Sequence, residues 1–120
     1  MSGPVALLGF HLAGRRFAVD AGQVRRVAGY RPELDVGAPL GPPGSRRRAL
    51  VFDPGDGGER ALTVDQVAEV RRVDPAALRR LPPLTSAPPL LRGAWLDGGE
   101  VVLLVDLHAT WPASASKETP

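Results

Sequence analysis

Three times in this chain a short apolar run breaks at a glycine-bearing turn and is answered at once by a second short run. That is the pattern of a β-hairpin, and it leaves little room for long helices. The first pair is Val5 to Leu12 and Arg15 to Asp20 about the turn Ala13-Gly14. The second is Ala49 to Phe52 and Glu59 to Val64, joined by Asp53-Pro54-Gly55-Asp56-Gly57-Gly58. The third is Leu91 to Leu96 and Glu100 to Val105 about Asp97-Gly98-Gly99. An all-β architecture is therefore expected.

The intervening segments read less uniformly. Gln23 to Tyr30, with Val24, Val27 and Tyr30 as its apolar members, fits a third strand or a short helix leading into one. From Arg31 to Arg48 four prolines alternate with glycines and no periodicity survives, so this stretch is a loop, either functional or the scar of lost elements. Val67 to Val73 is a further strand candidate, and Pro75 to Leu81 offers one turn of helix that Pro82-Pro83 would stop. Residues 1–111 read as one domain and 112–120 as a flexible polar tail.

A weak internal repeat runs through this layout. Phe17-Ala18-Val19-Asp20 leads to Gln23-Val24-Arg25-Arg26-Val27, and Leu62-Thr63-Val64-Asp65 leads to Glu69-Val70-Arg71-Arg72-Val73; Val105-Asp106-Leu107 is a partial third echo. Each aspartate follows a valine at a strand end, where a carboxylate caps the next turn or short helix. Asp20 and Asp65 are accordingly expected in equivalent places of two related halves, and capping is preferred to a carboxylate cluster for acid–base or metal chemistry.

Composition narrows the function. The chain has 120 residues, 43% of them hydrophobic, which suits one modest core. It has no cysteine, which excludes disulfides, thiolate metal sites and cysteine nucleophiles and suits a reducing cytoplasm. The longest apolar run outside the N-terminal segment, Val101 to Val105, falls far short of the roughly 20 residues that span a bilayer, and the N-terminus has no signal-peptide pattern. The net charge of +2 comes from arginine at fourteen positions with lysine only at Lys117, in a chain without Asn or Ile; GC-rich coding explains that usage better than nucleic-acid binding does.

No catalytic or metal constellation emerges. Asp53 to Glu59 lacks the alternating ligands and distal glutamate of a calcium loop, and Gly41-Pro42-Pro43-Gly44-Ser45 lacks both the N–H donors and the Gly-Lys-Ser/Thr of a phosphate loop. His11 and His108 stand in different elements, and Ser45, Ser86, Ser114 and Ser116 have no nucleophile-elbow context. No enzyme activity and no cofactor are expected. Ser45-Arg46-Arg47-Arg48 is the one basic run in a loop; it reads first as a solvated guard of a strand edge, with contact to phosphate, RNA or an acidic partner as the alternative.

Phe10 to Val27, Ala49 to Val70 ahead of Leu81-Pro82, and Leu91-Arg92-Gly93 through Leu107, taken in order, resemble the CheW family of chemotaxis coupling proteins. The resemblance implies two intertwined small SH3-like β-barrels and an adaptor that couples methyl-accepting-type chemoreceptors to a histidine kinase. It also implies that the receptor's helical tip lies in a groove between the barrels, which places partner binding on Val24, Arg25, Val27, Leu91, Arg92 and Gly93. Two departures stand out. The loop from Arg31 to Arg48 occupies the place of a strand pair, so one barrel is expected to be reduced and coupling to the histidine kinase weakened or absent. Arg26 stands where the family usually shows an acidic residue. The strand edges so exposed must be covered by the loop, guarded by Arg46 to Arg48 or paired with a second copy in a homodimer. The rival reading is a small nucleic-acid-binding β-barrel that uses the arginine pairs and the 45–48 run.

Overall fold

A computed structural model describes residues 3–80 and 90–108. Nine strands run in chain order: β1 Val5–Leu12, β2 Arg15–Asp20, β3 Arg26–Gly29, β4 Arg48–Phe52, β5 Arg60–Val64, β6 Gln66–Val73, β7 Leu78–Arg80, β8 Leu91–Asp97 and β9 Glu100–Val105. The described residues contain no α-helix, only single 3-10 turns at Ala21–Gln23, Pro32–Leu34 and Pro75–Ala77. The all-β class and the three hairpins are as the sequence indicates. The segment read as one turn of helix from Pro75 is helical only to Ala77 and then becomes β7, because Leu78, Arg79 and Arg80 find backbone partners in Trp95, Ala94 and Gly93. The expected stop at Pro82-Pro83 and the tail from 112 lie outside the described residues.

The strands form a six-stranded sheet, ordered β6-β1-β2-β9-β8-β7, and a three-stranded sheet, β3-β4-β5. Within the larger sheet only β2 and β9 run parallel. Its outermost strands, β6 and β7, are consecutive in the chain and joined by Asp74 to Ala77. That short link reaches at most about 18 Å, whereas the edges of a flat six-stranded sheet stand about 24 Å apart. The large sheet therefore curls toward a barrel. The second sheet, with three strands, is the reduced partner that the family resemblance implies, the loop from Arg31 to Arg48 standing in place of a strand pair.

The chain passes between the sheets at the two repeated aspartates. β2 ends at Asp20 in the large sheet and the chain crosses to β3 in the small one; β5 ends beside Asp65 in the small sheet and the chain returns as β6. The positions are equivalent, but the chemistry differs. Asp20 accepts the Gly22 N–H at 2.9 Å and caps its 3-10 turn. Asp106 likewise accepts the His108 N–H at 2.9 Å. Asp65 caps nothing that follows it, because β6 starts at the next residue; its oxygens accept the N–H groups of Ala13 and Gly44 instead.

Alternation along the strands sorts the apolar residues into three cores. The main one, between the sheets, gathers Leu8, Phe10, Leu12, Phe17 and Val19 from β1 and β2, and Leu50, Phe52, Leu62 and Val64 from β4 and β5. Phe10 stacks on Phe17 with ring centroids 5.5 Å apart. Full burial of such side chains stabilises by about 2 kcal/mol each. The opposite face of the large sheet collects Leu7, Ala18, Val73, Trp95 and Val102, and that of the small sheet Ala49, Val51 and Ala61. Both faces of β4 are thus covered, which is why Ala49 to Phe52 is an unbroken apolar run.

The loop from Arg31 is more than a spacer. Asp35 bridges Ala61 in parallel, and the Val36 N–H donates to the Ala61 carbonyl at 3.0 Å, so the loop shields part of β5's outer edge. Val36 and Leu40 pack on the main core and Leu34 on the small sheet's far face. Of the three ways to protect the truncated sheet, covering by the loop is the one seen along β5.

Candidate partner groove

The segments carrying the expected partner-binding residues lie far apart in sequence, and Gln23 joins them. Its Nε2 donates to Asp106 Oδ1 at 3.0 Å, and its Oε1 accepts the Leu107 N–H at 2.8 Å. The Asp106 N–H in turn donates to the Leu90 carbonyl at 2.8 Å, and Asp106 Oδ2 lies 3.9 Å from Arg92 Nε. The start of the β3 segment is thereby tied to the entry of β8. Val24 and Leu91, both half-buried, pack on the same main core at this junction. Neither Gln23 nor Asp106 stood out as a link in the sequence, since Asp106 looks like a local cap and nothing local pairs it with residue 23.

Val27 is 36% exposed and pairs across the ladder with Leu50, a main-core residue. Directly opposed residues share a sheet face, so Val27 sits at the rim of the space between the sheets. Arg25 begins the same stretch, donating its N–H to the Val51 carbonyl at 2.7 Å and pointing its guanidinium at Glu59, 3.4 Å away. Arg92 is exposed. Gly93 is not a surface residue: it is buried in β8, and a Cβ built on it would lie 2.6 Å from the Arg79 carbonyl oxygen. Its part is to let β7 approach β8. The structure thus brings Val24, Leu91 and Arg92 together, sets Arg25 and Val27 along the adjoining strand, and withdraws Gly93.

Arg26 grips Glu59 with two hydrogen bonds, Nη1 to Oε2 at 2.6 Å and Nη2 to Oε1 at 3.2 Å. The hydrogen bond from Arg26 holds the Glu59 carboxyl below its ordinary value of 4.5; partial desolvation opposes, and the charges of Arg26 and Arg25 add to the lowering. The basic residue at position 26 is thus matched by an acid from the β4–β5 turn. On the large sheet Arg16 and Arg71 both reach Asp97, at 3.2 and 3.1 Å, and their guanidiniums lie 5.8 and 4.9 Å from the Trp95 ring centroid.

The sequence and the fold place the chain among known proteins. The family profile described as the CheW-like domain matches residues 34–113. The chain is 39% identical over 104 residues to the Frizzy aggregation protein FrzB of Myxococcus xanthus, covering 87% of this chain and 92% of that one. It belongs to the CheW-like family. A crystal structure of the scaffolding protein TtCheW from Thermoanaerobacter tengcongensis superposes with a TM-score of 0.71 at 20% identity, covering 88% of this chain and 90% of that chain, which shows a shared CheW-like fold. The resemblance read from the hairpins and the Leu91-Arg92-Gly93 segment is therefore the family itself. No helix among the described residues of this CheW-like chain is long and apolar enough to cross a membrane.

Proposed function

We propose that the chain is a non-catalytic adaptor of a chemotaxis-type signalling system. It docks the helical tip of a methyl-accepting-type chemoreceptor on the surface formed by Val24, Arg25, Val27, Leu91 and Arg92, with coupling to a histidine kinase weakened or absent. The observation that carries the reading is the Gln23–Asp106–Arg92 junction, which draws two distant segments into one half-apolar rim above the main core. An amphipathic helix lays its apolar face into such a groove and leaves charges for the rim. The three-stranded sheet supports the second half of the proposal, because a loop with Pro32, Pro39, Pro42 and Pro43 has too few N–H donors to rebuild a central strand pair.

The experiment is a pull-down of a chemoreceptor's cytoplasmic domain by the native chain and by V27D/R92E. These two residues are exposed, so the variant keeps its core, whereas an Asp at half-buried Leu91 would threaten folding. Lost capture with an unchanged circular dichroism spectrum is expected; capture retained by the folded variant overturns the site. Calorimetric titration with the kinase's regulatory domain should show no binding, and micromolar binding would sink that part.

A further inference from the structure

An open hollow of about 780 Å³ lies between residues 44–47 of the loop with Arg48 at the start of β4 and residues 65–67 at the start of β6. Elsewhere on the small-sheet half the arginines are matched: Arg25 and Arg26 face Glu59, Arg31 faces Glu33 and Arg60 faces Asp56. Arg46, Arg47 and Arg48 line the hollow and have no carboxylate partner among the described residues. The one acid in its lining, Asp65, already accepts backbone N–H groups from Ala13 and Gly44. Three guanidiniums against one engaged carboxylate leave the hollow positive.

The loop is held in place. Asp65 binds it at Gly44, and Arg47 Nε donates to the Gly44 carbonyl at 3.2 Å while its guanidinium lies 4.9 Å from the Tyr30 ring centroid. Arg48 Nε donates to the Ala28 carbonyl at 3.4 Å. A cation fixed by such contacts loses less side-chain entropy when it meets an anion than a free surface arginine does. Tyr30, the aromatic side chain beside this cluster, has Arg47 over its ring, so that face is not open to a stacking base, and one short run of three cations neutralises few phosphates.

We propose that this hollow is a second docking site, separate from the groove, for an acidic segment of a partner polypeptide whose Asp or Glu side chains pair with Arg46 and Arg48. It shares no residue with the receptor groove, so its failure would leave the groove reading standing, and the reverse. Charge-assisted, bidentate guanidinium–carboxylate pairs supply the recognition.

The test is fluorescence anisotropy of the full chain with a labelled oligoglutamate peptide and, in parallel, an oligouridylate of matched charge. Oligoglutamate should bind at low salt, and R46A/R48A, which keeps the Arg47–Tyr30 contact, should weaken that binding about tenfold while R79A/R80A leaves it unchanged. If R46A/R48A fails to fold, R46Q/R48Q makes the same test with a polar side chain kept and only the charge and the guanidinium removed. Undiminished binding by the variant, no binding by the native chain, or tighter binding of the oligouridylate overturns the proposal.

Discussion

Asp65 accepts the backbone N–H of Ala13 at 3.0 Å, joining the start of β6 to a hairpin turn 52 residues earlier. Ala13 holds φ 54 and Gly14 φ 80, the left-handed pair that a two-residue hairpin turn requires. For alanine that conformation costs about 1 kcal/mol, and the carboxylate offsets part of it by satisfying the N–H while also holding Gly44. Asp65→Ala should lower stability by about 1 kcal/mol, the modest size reflecting water's access to the freed groups. It should also speed tryptic cleavage after Arg46 and Arg47. Urea unfolding and timed digestion check this; an unchanged cleavage rate would show that Asp65 does not hold the loop.

The close approach of β7 to β8 depends on Gly93. A methyl there would meet the Arg79 carbonyl at 2.6 Å and the Leu104 side chain at 3.3 Å. Backbone cannot move aside as a flexible side chain can, so Gly93→Ala should cost about 2 kcal/mol. The loss should fall on the β7–β8 pairing: hydrogen exchange at residues 78–80 should accelerate more than in β4, which lies in the other sheet. Uniform protection in the variant would contradict this.

Acid sensitivity follows from two carboxylates. Glu59 is held below 4.5 chiefly by the Arg26 hydrogen bond. For Asp97 partial burial pushes upward, but the hydrogen bonds and charges of Arg16 and Arg71 together outweigh it and hold the group below 3.8. Both are lowered in the folded state, so their contribution to stability is present above the ordinary values and is lost as pH falls through the folded ones. Thermal midpoints should therefore drop on acidification below about pH 4.5, and E59Q/D97N should be less stable at neutral pH but lose less on the way to about pH 3. Parallel curves for the two proteins would refute the assignment.

The hairpins were legible because each is local: apolar runs of strand length around Ala13-Gly14, Asp53 to Gly58 and Asp97 to Gly99 leave few other ways to bury them. The caps at Asp20 and Asp106 were legible for the same reason, since each carboxylate accepts an N–H two residues on. β7 was missed because Leu78–Arg80 is three residues long and becomes a strand only through β8. Of the candidate site, Val24, Val27, Leu91 and Arg92 could be named through the family resemblance, but Gly93 could not be told from a surface glycine.

By itself, then, the sequence determined the three hairpins and where they turn, because period-two burial and glycine turns are properties of neighbouring residues, while the shortage of strands in one sheet was implied by the family resemblance. Only the tertiary structure decided what the look-alike aspartates do. Asp20 and Asp65 each follow a valine at a strand end, yet one caps its own turn and the other holds a hairpin and a loop from elsewhere. It likewise decided that Gln23 would meet Asp106, that Arg26 would meet Glu59, and that Arg46 to Arg48 would share a hollow without a free acid. Each of these depends on which distant segments the packing of two sheets about one core brings within about 3 Å, and hydrogen-bond reach across the fold leaves no mark on local spacing.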